Sequence, residues 1–410
     1  FVMPHNVTTF PEVLRRAGYH TANFGKTHLP PELHPFETDD PSGSEMNLGL
    51  TQQELKALKK IGPKGSLSFN AGSIYPKGRK YGPEQVTSHA LQWISKQQCP
   101  YFVRISYTQP HSPIILKQGF EKMYDYRLFD GKLPDLNKLS QFEQAFSRIV
   151  AMDTMTEKEI QMAKAYYYAM VCWIDSEVRK VLDFLKVQGT LENTILILGA
   201  DHGALRGECA GLGKHIFNRA SQAVPLIIKA PGLNPGDRIP TLCSNIDIPK
   251  TIFDLVGIQA PQQFKGQSLL QTKSKPAINP DFTFDRQNTG EVYATIGFGE
   301  ADSYAFPARQ LGRFPGNHGW PRRSCIRQSS FRLDMNTRID GHTPLPEQQD
   351  IFFTDCLKYP DENYNLVNEP AYAPVIKQLY NKLQAHCQNA AEATLKHVRF
   401  SREMVLNTKQ

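Results

Sequence analysis

The chain has 410 residues, of which 40% are apolar, 21% charged and 10% aromatic. That is enough to bury a sizeable core in two or three domains, and it excludes an intrinsically disordered chain. A mean hydropathy of -0.44 and the lack of any apolar run near eighteen residues exclude a membrane-spanning helix, and 47 basic against 40 acidic residues leave a dispersed net charge of +7 that suits an anionic substrate, not nucleic acid.

In chain order, Thr9-Phe10-Pro11-Glu12 reads as a capping box opening a short helix to Arg16, which Gly18 stops. A strand from Tyr19 to Phe24 runs into Gly25-Lys26-Thr27-His28. Residues 36–82 are rich in Gly, Pro and Ser, with one helix-like patch from Gln52 to Lys60, and read as a surface excursion. A helix over Pro83 to Gln97 precedes a strand, Tyr101 to Tyr107, which ends in Gln109-Pro110-His111-Ser112-Pro113. Residues 117–155 read as a second excursion of mixed polarity. A long amphipathic helix follows from Glu157 to Val187, with Gly189 as its stop. Strand Thr194 to Leu198 ends in Gly199-Ala200-Asp201-His202-Gly203; strand Val224 to Ile228 and a helix from Asp247 through Leu255 come next.

This βα alternation predicts an α/β fold over residues 1–275, a mostly parallel sheet sandwiched by helices. Beyond residue 275 the pattern shortens to Glu291 to Ile296, Arg323 to Leu333 and Asp350 to Phe353, then a last helix from Ala373 to His397. Residues 276–410 are therefore expected to form a smaller α+β domain with antiparallel strands. Seven cysteines without a CxxC pair argue against a zinc knuckle or a disulfide framework. The opening Phe1-Val2-Met3-Pro4 is neither a usual start nor a signal peptide and reads as a processed or truncated beginning.

Three predicted strands each run into a loop dense in Lys, His or Asp: Lys26/His28, His111 and Asp201/His202. Ligands of open parallel sheets sit outside the carboxyl ends of the strands, so these loops are expected to share one rim. Asp201 and His202 can offer a carboxylate and an imidazole to one divalent cation, although two ligands are fewer than the six a hard cation takes. The same tripeptide also reads as a helix cap beside a loop histidine. Lys214, in Gly213-Lys214-His215, is either a point charge for an anionic ester oxygen or a solvated lysine. Lys26 and His28 can bind and protonate a leaving oxygen, or merely make a polar loop. His111 lies between prolines, which stiffen its backbone. A further stretch, Arg309, Arg313, Phe314, His318, Trp320, Arg322 and Arg323, can line a pocket for an anionic sugar or form an exposed loop. Jointly these groups suit hydrolysis of an anionic ester.

At these residues the chain resembles the sulfatase family. Gly18-Tyr19-His20-Thr21-Ala22-Asn23-Phe24-Gly25-Lys26-Thr27-His28-Leu29 is similar to the family's GYxTAxxGKWHLG motif. Ile197 to Gly203, then Gly207-Glu208, Gly213-Lys214 and Val224-Pro225-Leu226-Ile227, resemble its metal-and-lysine segment in order and spacing. Pro110-His111-Ser112-Pro113 is similar to its PHxP loop, and Thr354 to Leu366 to its C-terminal YDLxxDPxExxNL stretch. Thr27 replaces the usual Trp, Ala200 the usual Ser, and Cys209-Ala210 the usual His-Gly.

The resemblance implies an alkaline-phosphatase-like core and hydrolysis of a sulfate ester, most often on a carbohydrate. By matched position, Asp201 and His202 would be calcium ligands, and Lys26 and Lys214 would bind sulfate oxygens. His28 and His111 would lie near the nucleophile and leaving oxygen, one of them as general acid. His215, Arg322 and Arg323 are candidates for substrate binding. The resemblance also implies a secreted, periplasmic or lysosomal setting. The family's nucleophile is a formylglycine made from Cys/Ser-x-Pro-x-Arg, on a first strand with paired calcium-binding aspartates. No cysteine or serine here is followed by x-Pro-x-Arg. The expectation is a sulfatase whose nucleophile segment precedes Phe1. The alternatives are a phosphonate or phosphate ester hydrolase of the same superfamily, or a non-catalytic binder of sulfated glycans.

Overall fold

The computed structural model describes residues 7–272, 282–284 and 290–395, apart from 28, 30–32, 45–49, 52, 55–72, 77–80, 302–313, 315 and 317. The expected helix at the start is α1 (Phe10–Arg16), opened by the capping box in which Glu12 accepts from the amide and hydroxyl of Thr9 at 2.8 and 2.9 Å. Strand β1 (His20–Gly25) follows and pairs in parallel with β2 (Thr38–Asp40) on one side and β3 (Tyr101–Ser106) on the other. Helix α2 (Gly82–Ile94) is the crossover before β3.

Alternation along these strands sets the layers. Ala22, Phe24, Val103 and Ile105 face Val86 and Ala90 of α2. On the other face, Phe102 packs against Phe10 at 5.3 Å, in a cluster with Leu14 and with Ile252 and Phe253 of α5 (Ile248–Leu255). The sheet is thus covered on both sides, as the βα alternation predicts.

Several readings change, the first being the excursion 36–82, which supplies strand β2 to the sheet. The excursion 117–155 contains α3 (Gln141–Ile149), whose Ser140/Glu143 capping box was a legible start signal. The strand expected at Val224 to Ile228 is β5 (Leu226–Lys229), and it runs antiparallel to β4 (Leu196–Gly199), whereas β1, β2 and β3 are parallel. Its connection holds a short antiparallel pair, Leu205–Arg206 with Leu212–Gly213, and a four-residue helical turn, Arg219–Gln222, but no crossover helix of the kind that joins parallel strands. Between α3 and β4 runs α4 (Glu157–Val187), as expected. The helix-like patch from Gln52 to Lys60 lies almost wholly outside the described residues.

The C-terminal part is an antiparallel sheet of β6 (Val292–Ile296), β7 (Arg322–Arg327), β8 (Phe331–Arg338) and β9 (Phe352–Asp355), backed by α6 (Ala373–Leu395). The stretch expected as one strand from Arg323 to Leu333 is a hairpin instead, turning at residues 328–330. Leu333, Phe353, Leu379 and Leu383 fill the core between sheet and helix. A buried ion network joins this sheet to the parallel core. Arg332 donates to Glu143 of α3 at 2.9 Å and to Asp334 at 2.7 Å, and the same Asp334 accepts from Arg323 at 2.6 Å. The carboxylate of Asp350 accepts from the amides of Gln141 and Phe142 at the start of α3.

Candidate active site

The three loops do meet. Gly25 has φ +93°, and a Cβ there would fall 2.1 Å from the Ser106 carbonyl, so only glycine lets β1 turn at this point. The turn hands the chain to Lys26, whose amide donates to that same carbonyl at 2.9 Å. His111 follows β3, and its Nδ1 donates to the Ser112 carbonyl at 2.6 Å, which leaves Nε2 as the open nitrogen. Its ring lies edge-on to that of His202, with centroids 6.4 Å apart.

Asp201 and His202 leave β4. The Asp201 Oδ1 accepts from the His202 amide at 2.9 Å, and Oδ2 lies 3.5 Å from His202 Nε2. His202 Nδ1 donates to the Gly203 carbonyl at 2.8 Å, so Nε2 carries the lone pair, and it accepts from Lys214 Nζ at 2.7 Å. Gly203 is required because a Cβ would meet the Ala220 carbonyl at 2.0 Å.

Charge organises the cluster. Burial would raise Asp201, but His202, Lys26 and Lys214 outweigh it and hold the carboxyl below its ordinary value. Burial, with Lys26 and Lys214 nearby, lowers both His111 and His202, so both rings are neutral near pH 7. Burial also lowers Lys214, while Asp201 opposes that shift. Two ammonium groups around one carboxylate and two neutral imidazoles make a cluster of net positive charge, suited to a tetrahedral oxyanion.

Sequence reasoning missed Arg104. Residues Asp39, Asn23 and Arg104 stand directly opposite one another across β2, β1 and β3. Asn23 Nδ2 donates to Asp39 at 2.8 Å, while Arg104 Nη1 donates to Asn23 Oδ1 at 3.1 Å and to the Lys26 carbonyl at 3.0 Å. Its charge also reaches Asp201. The signal was an arginine inside the otherwise apolar run Tyr101-Phe102-Val103-Arg104-Ile105.

Not every expected residue joins. Arg323 is 1% exposed and spends its guanidinium on Asp334, Asn336 and Asp350, so it is a structural cation and not a substrate ligand. Arg322 is not brought to the cluster either; its charge acts on Cys387 of α6. His215 packs edge-on against Trp320 at 4.8 Å and Phe146 at 5.7 Å, and burial beside Lys214 pushes it down to about 4. It forms part of an aromatic wall beside Lys214. His28, Arg309 and Arg313 lie outside the described residues.

A calcium centre is not complete here. Among the described residues no group of three or more His, Cys, Asp or Glu side chains could hold a metal. Asp201 is well placed, its side chain 72% exposed, but the His202 lone pair is taken by an ammonium group. Two donors do not make the six-oxygen shell that calcium requires.

The family model described as Sulfatase matches residues 2–258. The chain belongs to the sulfatase family. It is 28% identical to a choline-sulfatase of Rhizobium meliloti (strain 1021) over 279 residues, covering 62% of this chain and 53% of that protein. It is 28% identical to arylsulfatase K of Homo sapiens over 293 residues, covering 67% and 53%. This sulfatase-family chain therefore spans about half the length of the curated relatives it matches. A solved structure described as a complex with its substrate D-glucosamine-2-N,6-O-disulfate superposes with a TM-score of 0.65 at 18% identity, covering 95% of this chain and 83% of that one. A phosphonate monoester hydrolase from Silicibacter pomeroyi superposes with a TM-score of 0.69 at 19% identity, covering 97% and 83%. These likenesses establish the alkaline-phosphatase-like fold of this sulfatase relative.

Proposed function

We propose that the protein hydrolyses a sulfate ester on a sulfated carbohydrate. The observation that carries this reading is the convergence of Lys26, Lys214, His111 and His202 around Asp201 at three strand ends. Lys26 and Lys214 hold sulfate oxygens and neutralise charge that would repel a nucleophile. Burial is the main cause of the lowered His111 value and persists on binding, but an anion that screens Lys26 and Lys214 removes their part of it. His111 Nε2 is the nitrogen open to carry a proton to the leaving oxygen as the S–O bond breaks. His28 is the alternative general acid on the resemblance alone. Among the described residues of this cluster, the Asp201 carboxylate is the one group free to meet a calcium ion, since Lys214 occupies the His202 lone pair, so calcium and formylglycine both rest on the resemblance alone.

Sequence relatives named as sulfatases favour sulfate over phosphonate, and the neighbours described as acting on glucosamine disulfate and as a 2-O GAG sulfatase favour a carbohydrate. The test is sulfate release from sulfated saccharides, with an aryl phosphonate monoester in parallel, using protein from its natural source. Its intact mass and N-terminal peptide would be determined alongside. Sulfate release is expected. Turnover of the phosphonate alone would replace the proposed substrate. Tight binding of sulfated saccharide without release would replace the enzyme by a binding protein.

A further inference from the structure

We infer that Glu362 and Asn363 are positioning residues for Lys214, acting from the C-terminal run that the catalytic reading leaves without a role. Lys214 sits on a loop between Gly207 and Arg219, and three groups of that loop are tied to residues 361–363. The Cys209 amide donates to Asn363 Oδ1 at 3.2 Å, Asn218 Nδ2 to the Asp361 carbonyl at 2.9 Å, and the Arg219 amide to Glu362 Oε2 at 3.2 Å. Glu362 is itself fixed. It is 1% exposed and takes both terminal nitrogens of Arg327, at 2.6 and 2.7 Å. The same Arg327 donates to the Phe217 carbonyl at 3.2 Å, a fourth tie to the loop.

The loop needs these ties. Cys209 and Ala210 both have φ +48°, a left-handed conformation that non-glycine residues keep only when their surroundings enforce it. Both are fully buried, and Cys209 Sγ donates to the Glu362 carbonyl at 3.4 Å. From this anchored turn the chain reaches Lys214, whose ammonium meets His202 at 2.7 Å. A lysine side chain has four rotatable bonds, so the place of its ammonium depends on a fixed backbone. The C-terminal tripeptide therefore sets the distance between Lys214 and the Asp201–His202 pair.

This inference rests on the reading of Lys214 as a sulfate ligand, and a double-mutant cycle separates the two. Inorganic sulfate is titrated by calorimetry into wild type, Asn363→Ala, Lys214→Ala and the double variant. Asn363→Ala is expected to weaken sulfate binding at least about fivefold in the wild-type background and less than about twofold when Lys214 is already alanine. Equal weakening in both backgrounds, or none in the first, overturns the positioning role while leaving the Lys214 reading intact. Unchanged sulfate affinity of Lys214→Ala overturns the Lys214 reading and the inference together. If Asn363→Ala proves unstable in thermal melts, Glu362→Gln, which keeps the side-chain shape, enters the same cycle with the same expected and overturning results.

Discussion

The ammonium of Lys214 donates to His202 Nε2 at 2.7 Å, on the nitrogen that the family resemblance would give to a metal ion. Because Nδ1 is committed to the Gly203 carbonyl, the ring has no second lone pair to offer. Lys214→Met should therefore tighten binding of an imidazole-seeking cation such as Ni²⁺ or Zn²⁺ at the Asp201–His202 pair by at least about tenfold, by removing both a competitor and a repelling charge. Calorimetric titration of the metal into the two proteins reads this directly. A gain that survives His202→Ala would place the binding elsewhere.

Arg104 supports the same site from beneath. Arg104→Met removes the donor to Asn23 Oδ1 and to the Lys26 carbonyl, and Asn23 is fully buried. The expected loss is about 1–3 kcal/mol of stability, the cost of a buried acceptor left without its donor. Sulfate affinity should fall several-fold as well, since the Lys26 backbone loses its clamp and a cation leaves the cluster. Urea unfolding and sulfate calorimetry measure the two effects. Stability loss without any change in affinity would make Arg104 a structural residue only.

What the sequence disclosed follows from where the signals are local. The start of α1 was legible to the residue from its Thr9 capping box, because cap chemistry lies within four positions, and that of α4 from its amphipathic pattern. The convergence of Lys26, His111 and Asp201/His202 on one rim was legible through the parallel-sheet rule. The antiparallel sense of β5 was not, since it depends on how the 26 residues between the strands Leu196–Gly199 and Leu226–Lys229 travel in space. Arg323 misled for a different reason. In sequence, an arginine near glycine, proline and tryptophan looks exposed, and only the pairing of β7 with β8 brings Asp334 beneath it.

The buried network is where a single substitution should do most damage. Arg332 is fully buried and answers Glu143, Asp334 and Glu362 at 2.9, 2.7 and 3.4 Å. Arg332→Met keeps most of the volume but leaves three carboxylates with one cation fewer. A loss of about 3–5 kcal/mol is expected, as for other buried charges deprived of a partner. Because the network joins α3 to β8, the variant should also unfold with a broadened or split transition. Denaturant melts followed by fluorescence and by circular dichroism test both points, and a loss under about 1 kcal/mol would show that the network is solvated.

His215 gives a pH signature of its own. Burial, with Lys214 and His202 nearby, lowers it from 6.5 to about 4, so the unfolded chain takes up a proton first as pH falls. The stability tied to the neutral ring is complete above pH 6.5 and is lost progressively from there down to about 4. At pH 5 the loss should amount to about 2 kcal/mol. His215→Phe retains a ring between Trp320 and Phe146 and carries no such proton. The stability difference between wild type and variant should therefore shift by about 2 kcal/mol in favour of the variant between pH 7.5 and pH 5. His111 and His202, lowered in the same direction, contribute to both proteins and largely cancel in the difference. Urea unfolding at the two pH values measures it, and a difference that does not move would show that the His215 ring is hydrated.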